Sequence, residues 1–67
     1  MDTATQRVVE ETYHEAVDEA TDRGLSTLTA HKEGVIAAAM LLAALKGIED
    51  EEARASVVGL NLRPLPH

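Results

Sequence analysis

The chain of 67 residues contains no cysteine, phenylalanine or tryptophan, and Tyr13 is its only tyrosine. Without cysteine it can form neither disulfides nor thiolate metal sites, and its redox compartment stays undetermined. Its core has to be built from alanine, valine, leucine, isoleucine and methionine. A domain of this size buries only about 60% of the surface that its unfolded chain exposes. We therefore expect oligomerisation to supply the additional stability that small domains need.

Basic residues are also few, with six Lys and Arg against twelve Asp and Glu and a net charge of −6. They are scattered along the sequence, whereas nucleic-acid binding rests on clustered Lys and Arg that neutralise phosphates. The same lack of basic clusters disfavours an anionic membrane surface. The first residues, MDTATQ, do not form the basic segment of a signal peptide. We expect a cytoplasmic protein that binds neither nucleic acid nor membranes.

Residue sets that support catalysis are missing as well. There is no serine in a nucleophile elbow and no glycine-rich phosphate loop. An isolated histidine such as His31 is a weak basis for catalysis, and we interpret it as a boundary residue of the core. In a subunit interface it would make assembly sensitive to pH. The sequence thus predicts a non-catalytic protein without a cofactor.

The longest run without a polar side chain is GVIAAAMLLAAL, residues 34–45, between Lys32-Glu33 and Lys46. A helix that is apolar on all sides has to be covered on every side. The run is shorter than the roughly 20 apolar residues of a membrane span. It is therefore expected to form the central helix of a small assembly.

A first helix is predicted over residues 3–23. Thr3 and Gln6 have the spacing of a capping box, and Gly24 supplies a left-handed stop with Leu25 packing back on the last turn. Apolar and small residues recur at intervals of three and four. They are Val9, Thr12, Tyr13, Ala16, Val17 and Ala20. The helix is therefore expected to bury one narrow face and to expose an acidic one.

A second helix is predicted over residues 28–46, with Thr27 or Thr29 as its N-cap and Gly47 as its C-terminal stop. Its apolar residues repeat in a heptad pattern. One seam comprises Leu28, Val35 and Leu42, together with His31, Ala38 and Leu45. A second seam comprises Ile36, Met40 and Ala43. One seam is expected to receive the first helix, and the other requires a partner.

A short third helix is predicted over residues 50–58, with Asp50 as its N-cap and Gly59 as its stop. The tail, residues 60–67, should be extended because Pro64 and Pro66 each push the preceding residue out of the helical region. Its three leucines are expected to dock on the body or on a neighbouring subunit. They are Leu60, Leu62 and Leu65.

Glu11, His14 and Asp18 form one candidate metal site. Residues at i, i+3 and i+4 face one another on a helix, and Glu-x-x-His pairs bind metal in ferritin-like bundles. These residues lie on the polar face, however, where solvated side chains are the more common outcome. A metal-binding helical oligomer is therefore kept as the alternative function.

The fold predicted from these patterns is all-α, a helical hairpin plus a short third helix in an oligomeric bundle. The favoured function is a protein–protein interaction or assembly module that acts as a homodimer or higher oligomer, with another protein as an alternative partner. A weaker alternative is an antitoxin-like acidic inhibitor of a basic partner. The expected interface residues are Leu28, Val35, Ile36, Met40, Leu42, Leu45, Leu60 and Leu62.

Overall fold

Three α-helices make up most of the structure, a computed structural model that describes residues 1–65. They are α1 (Thr3–Asp22), α2 (Thr27–Lys46) and α3 (Asp50–Gly59). Helices account for 77% of the described chain, and that part contains no strand. The all-α prediction is confirmed, and the helix ends agree with the predicted ranges to within one residue. The prediction of an extended tail at residues 66 and 67 lies outside the described residues.

The start of α1 differs from its prediction. The N-cap is Asp2, whose carboxylate accepts a hydrogen bond from the Thr5 backbone N–H at 2.8 Å. Hydrogen bonding to Thr5, first with its side chain and then with its backbone N–H, lowers the pKa of Asp2 below its usual value. The predicted capping box of Thr3 and Gln6 is therefore wrong, and the Gln6 amide donates to Glu10 at 3.0 Å instead. Asp2 is the better cap because its charge also favours the positive end of the helix dipole.

Both long helices end at glycine, as predicted. Gly24 has φ +85° and Gly47 has φ +64°, the left-handed conformation that only glycine adopts without a steric penalty. After α1, the Leu25 N–H donates to the Ala20 carbonyl at 3.1 Å. After α2, the Gly47 N–H donates to the Ala43 carbonyl at 2.8 Å. These bonds satisfy carbonyl groups that a helix end leaves free.

The starts of α2 and α3 correct two further predictions. Ser26, rather than Thr27 or Thr29, is the N-cap of α2, and its hydroxyl accepts a hydrogen bond from the Thr29 N–H at 3.2 Å. Glu49 is at the N-cap of α3 without a side-chain capping bond, and Asp50 is already helical. The acidic first turn of α3 still favours the positive end of its dipole.

The end of α3 lies one residue later than predicted. Gly59 is the last helical residue rather than the stop, Leu60 is the C-cap, and Asn61 takes the positive φ of 55°. Asparagine tolerates this conformation better than most residues. The turn directs the tail back along the body, where Leu60 and Leu62 pack against the core. Leu60 and Leu62 therefore dock on the body of their own chain, as predicted for the tail leucines. Leu65 is 61% exposed.

α2 is the central helix, and it packs against both α1 and α3. The side chains of the core come from all three helices and are mainly small. They are Val9, Tyr13, Val17 and Ala20 of α1, Ala30, Ala38, Ala39 and Leu42 of α2, and Ala53 and Val57 of α3. The predicted apolar face of α1 is thus confirmed at its four innermost positions.

The predicted seams of α2 are wrong in part. Leu28 and Leu45, assigned to a heptad seam, are 64% and 54% exposed. Ala38 and Leu42 of that seam are buried as predicted, but the buried line of α2 also includes Ala30 and Gly34, which the seam lacked. Small residues let two helix backbones approach closely, and a heptad pattern built on large apolar residues does not detect them.

At Gly34, side chains of α1 pack directly against the backbone of α2. A Cβ atom at this position would lie 2.7 Å from the Val17 Cγ2 atom and 2.9 Å from the Tyr13 Cδ1 atom. Both distances are shorter than van der Waals contact allows. The packing of α1 on α2 therefore depends on the missing side chain of Gly34.

Candidate interaction surface

An exposed ridge runs along α2, formed by Leu28, Lys32, Ile36 and Met40. These residues are four apart and therefore lie on one side of the helix. Ile36 is 45% exposed and Met40 is 66% exposed. We refer to the four residues as the α2 ridge. It places large apolar side chains in solvent on the helix that is central to the fold.

The predicted interface residues divide into three groups. Leu28, Ile36, Met40 and Leu45 are exposed. Val35, Leu60 and Leu62 are partly buried against the core. Leu42 is only 2% exposed. Leu42 therefore belongs to the core of the single chain and is not accessible to a partner.

A first groove separates α1 from α2 and has a volume of about 420 Å³. Its lining comprises Ala16 and Glu19 of α1, the C-cap residue Arg23, and Glu33, Ile36, Ala37 and Met40 of α2. Arg23 and Glu33 join the two helices through a salt bridge of 2.7 Å. Both side chains are well exposed, so this pair adds little to stability. The salt bridge forms a polar edge of the groove, whose lining includes the small side chains of Ala16 and Ala37.

A second groove separates α2 from α3 and has a volume of about 320 Å³. We call it the basic groove, and its lining comprises His31, Lys32, Val35, Ile36, Arg54 and Val58. A smaller cavity of about 110 Å³ adjoins it and adds Val57, Asn61, Leu62 and Arg63. Neither lining contains an acidic side chain. The fold thus gathers basic residues that are scattered along the sequence.

A buried hydrogen bond connects α1 to α2 beside this groove. The Tyr13 hydroxyl lies 2.6 Å from Nδ1 of His31, and Tyr13 is fully buried. Burial raises the pKa of Tyr13 above its ordinary value of 10.0, and the positive charge of Arg63 acts in the opposite direction. His31 is partly buried, as predicted for a boundary residue. The sequence analysis predicted Tyr13 on the buried face of α1 and His31 at the boundary of the core. No sequence pattern indicated that the two side chains would be hydrogen-bonded.

Replacing Tyr13 with phenylalanine is expected to lower the free energy of unfolding at neutral pH by about 1 kcal/mol, the usual contribution of one hydrogen bond. The pKa of Tyr13 is raised by folding, so its contribution is complete below pH 10.0 and is lost as the pH rises through the raised value. Urea unfolding of both proteins across this range measures the effect. An unchanged stability at neutral pH, with the same loss in alkali as the native chain, would contradict it.

Glu11, His14 and Asp18 line a shallow acidic groove on the outer face of α1, with Leu65 of the tail at its edge. The His14 ring packs edge-on against the Tyr13 ring, with 5.0 Å between their centroids. Across residues 1–65, no group of three His, Asp or Glu side chains is placed to hold a metal ion. The structure therefore does not bring the three metal candidates together as a ligand set.

By length and composition alone, α2 could cross a membrane, with a mean hydropathy of 1.4 over its most apolar window. The helix is longer than the apolar run 34–45 because it includes the polar turn before it. Core helices of soluble proteins, which are mostly buried, pass the same test, and 28% of this window is buried in the protein. Lys32 and Glu33 would place two charges within the span, which is costly in a bilayer.

Comparison of the chain with protein-family models, with curated proteins and with solved structures finds no match. Its function therefore has to be inferred from its own surface. The described part of that surface offers two open grooves beside an exposed apolar ridge.

Proposed function

We propose that this protein is a small, non-catalytic interaction module that assembles as a homodimer or a larger helical bundle. The observation that carries the proposal is the exposure of Ile36 and Met40, at 45% and 66%, in the single chain. Full burial of such a side chain stabilises by about 1.5–3 kcal/mol relative to leaving it exposed. In a symmetric contact, both copies contribute this gain.

The groove between α1 and α2 supports self-association through the ridge. Ala16 and Ala37 leave space there, and Met40 lies at its edge. In a two-fold contact the same patch is used on both copies. Each copy can then insert Met40 into the groove of the other. Methionine suits this role because its unbranched, flexible side chain fills irregular spaces.

Light scattering coupled to gel filtration tests this proposal. The native protein should elute at a multiple of 7.2 kDa, the mass of one chain. Ile36→Glu combined with Met40→Glu should give single chains with unchanged helicity, since both side chains are exposed in the protomer. Val8→Glu is the matched control, because Val8 is a comparably exposed apolar residue (42%) outside both grooves.

Two outcomes would reject self-assembly through the ridge. One is a native protein that remains at the mass of a single chain at micromolar concentration. The other is a Val8→Glu variant that dissociates to the same extent as the ridge variant.

A further inference from the structure

The basic groove has a charge opposite to that of the protein as a whole. The chain carries a net charge of −6 with only six Lys and Arg. Lys32 and Arg54 line the groove, and Arg63 lines the cavity that adjoins it. Half of the basic residues of the chain therefore border one continuous region.

The positive charge of this region is not neutralised from within the chain. Glu33 is next to Lys32 in sequence, but its carboxylate is paired with Arg23 on the side of α1. Within residues 1–65, neither Lys32 nor Arg54 takes part in a salt bridge. Acidic side chains do precede Arg54 on α3, in its first turn. They do not line the groove.

The basic groove is partly apolar. Val35, Ile36 and Val58 line it together with the charged side chains, and Ile36 and Val58 are 45% and 59% exposed. α3 has ten residues, which at about 1.5 Å per residue gives a wall of roughly 15 Å. A groove with two helical walls and this length can accept about three turns of another helix.

We propose that the basic groove binds an acidic amphipathic helix of another protein. Apolar side chains on one face of that helix would pack on Val35, Ile36 and Val58, and flanking carboxylates would pair with Lys32 and Arg54. The apolar contact supplies most of the affinity, and the charge pairs supply selectivity and rate of association. Binding should therefore weaken as salt screens the exposed charges.

A second copy of the chain is a poorer occupant than an acidic helix. α2 has an exposed apolar ridge, but its only acidic residue is Glu33, which is already paired. α1 is acidic, but its apolar stripe is buried in its own core. The inference goes beyond the proposed self-assembly, although the basic groove shares Lys32 and Ile36 with the α2 ridge. The two proposals are distinguishable because Met40 lies outside the basic groove and Arg54 lies outside the groove between α1 and α2.

A synthetic peptide tests the proposal by fluorescence anisotropy. The probe is a labelled helix of about five turns, roughly 18 residues, with leucines on one face and glutamates on the others. A second peptide has lysine in place of each glutamate. The full-length native protein should bind the acidic peptide, with lower affinity at high salt, and should not bind the basic peptide.

Charge reversal within the groove separates specific binding from net charge. The double variant Lys32→Glu with Arg54→Glu should lose at least about tenfold in affinity, equivalent to about 1.4 kcal/mol. The matched control, Arg7→Glu with Lys46→Glu, makes the same change in net charge outside the groove. It should bind within about twofold of the native protein, when circular dichroism shows that both variants remain helical.

The remaining outcomes also decide the question. The proposal is overturned when the native protein does not bind the acidic peptide, binds both peptides equally, or loses as much affinity in the control as in the groove variant. A native oligomer that dissociates on reversal of Lys32 and Arg54 would show that a second copy covers the groove, and would also overturn it. Met40→Glu should retain peptide binding. A failure of the proposed self-assembly can therefore be distinguished from a failure of peptide binding.

Discussion

Replacing Gly34 with leucine is expected to remove a large part of the stability of the chain. A Cβ alone would lie 2.7 Å from Val17 Cγ2 and 2.9 Å from Tyr13 Cδ1, and leucine adds three more carbons to the same space. Overpacking by a few methylenes typically costs about 1–3 kcal/mol. At about 0.05–0.15 kcal/mol per residue, the total stability of such a chain is only about 3–10 kcal/mol. Separation of α1 from α2 would also break the Tyr13–His31 hydrogen bond.

Two alanine variants make this prediction specific to the helix contact. Gly34→Ala should lower the melting temperature, although alanine favours a helix over glycine by about 1 kcal/mol. Gly59→Ala is the matched control, because Gly59 is helical and a Cβ there would meet no atom within 4 Å. It should raise the melting temperature. Thermal circular dichroism measures both changes, and a Gly34→Ala variant as stable as the control would refute the close packing.

Replacing Leu42 with aspartate is expected to abolish the fold. Leu42 is 2% exposed, and loss of a buried leucine side chain alone costs about 2–5 kcal/mol. The substitution also buries a carboxylate, and no buried polar or charged side chain is present in the described chain to pair with it. An unpaired buried charge adds several kcal/mol more. We expect an unfolded chain by circular dichroism at neutral pH.

Leu45→Asp provides the comparison on the same helix. Leu45 is 54% exposed, so its replacement should leave the helix content intact. The two variants have the same composition and differ only in which face of α2 receives the charge. Folded Leu42→Asp, or unfolded Leu45→Asp, would show that the two faces of α2 are assigned the wrong way round.

The ends of the helices could largely be predicted from the sequence, because local chemistry sets them. Gly24 and Gly47 end α1 and α2 since no other residue takes a positive φ so easily. The N-cap residues could not be predicted as accurately, because several residues that favour capping are adjacent in the sequence. Asp2 precedes Thr3, and Ser26 precedes Thr27, so the pattern did not reveal which residue would remain outside the helix.

The faces of α2 could not be predicted with the same accuracy. Its long apolar run has no polar side to mark the exposed surface. The heptad seam rested on large residues such as Leu28, whereas the contact with α1 depends on Gly34, whose side chain is absent. Helix contacts formed by small residues leave little trace in a hydrophobic pattern.

The basic groove was missed for a different reason. Lys32 and Arg54 are far apart in the chain, and only the return of α3 along α2 places them beside one groove. Net charge is a sum over the whole sequence, so it hides a local cluster of opposite sign. The acidic composition favoured a basic partner only as a weaker alternative, whereas the groove that we propose as a binding site would take an acidic one.

The position of Tyr13 also gives the protein an internal optical probe. Tyr13 is its only tyrosine and there is no tryptophan, so the intrinsic fluorescence arises from one side chain at the contact of α1 with α2. Its hydroxyl is hydrogen-bonded to His31, and water replaces that bond when the two helices separate. The emission of an unlabelled sample therefore reports the opening of this one contact.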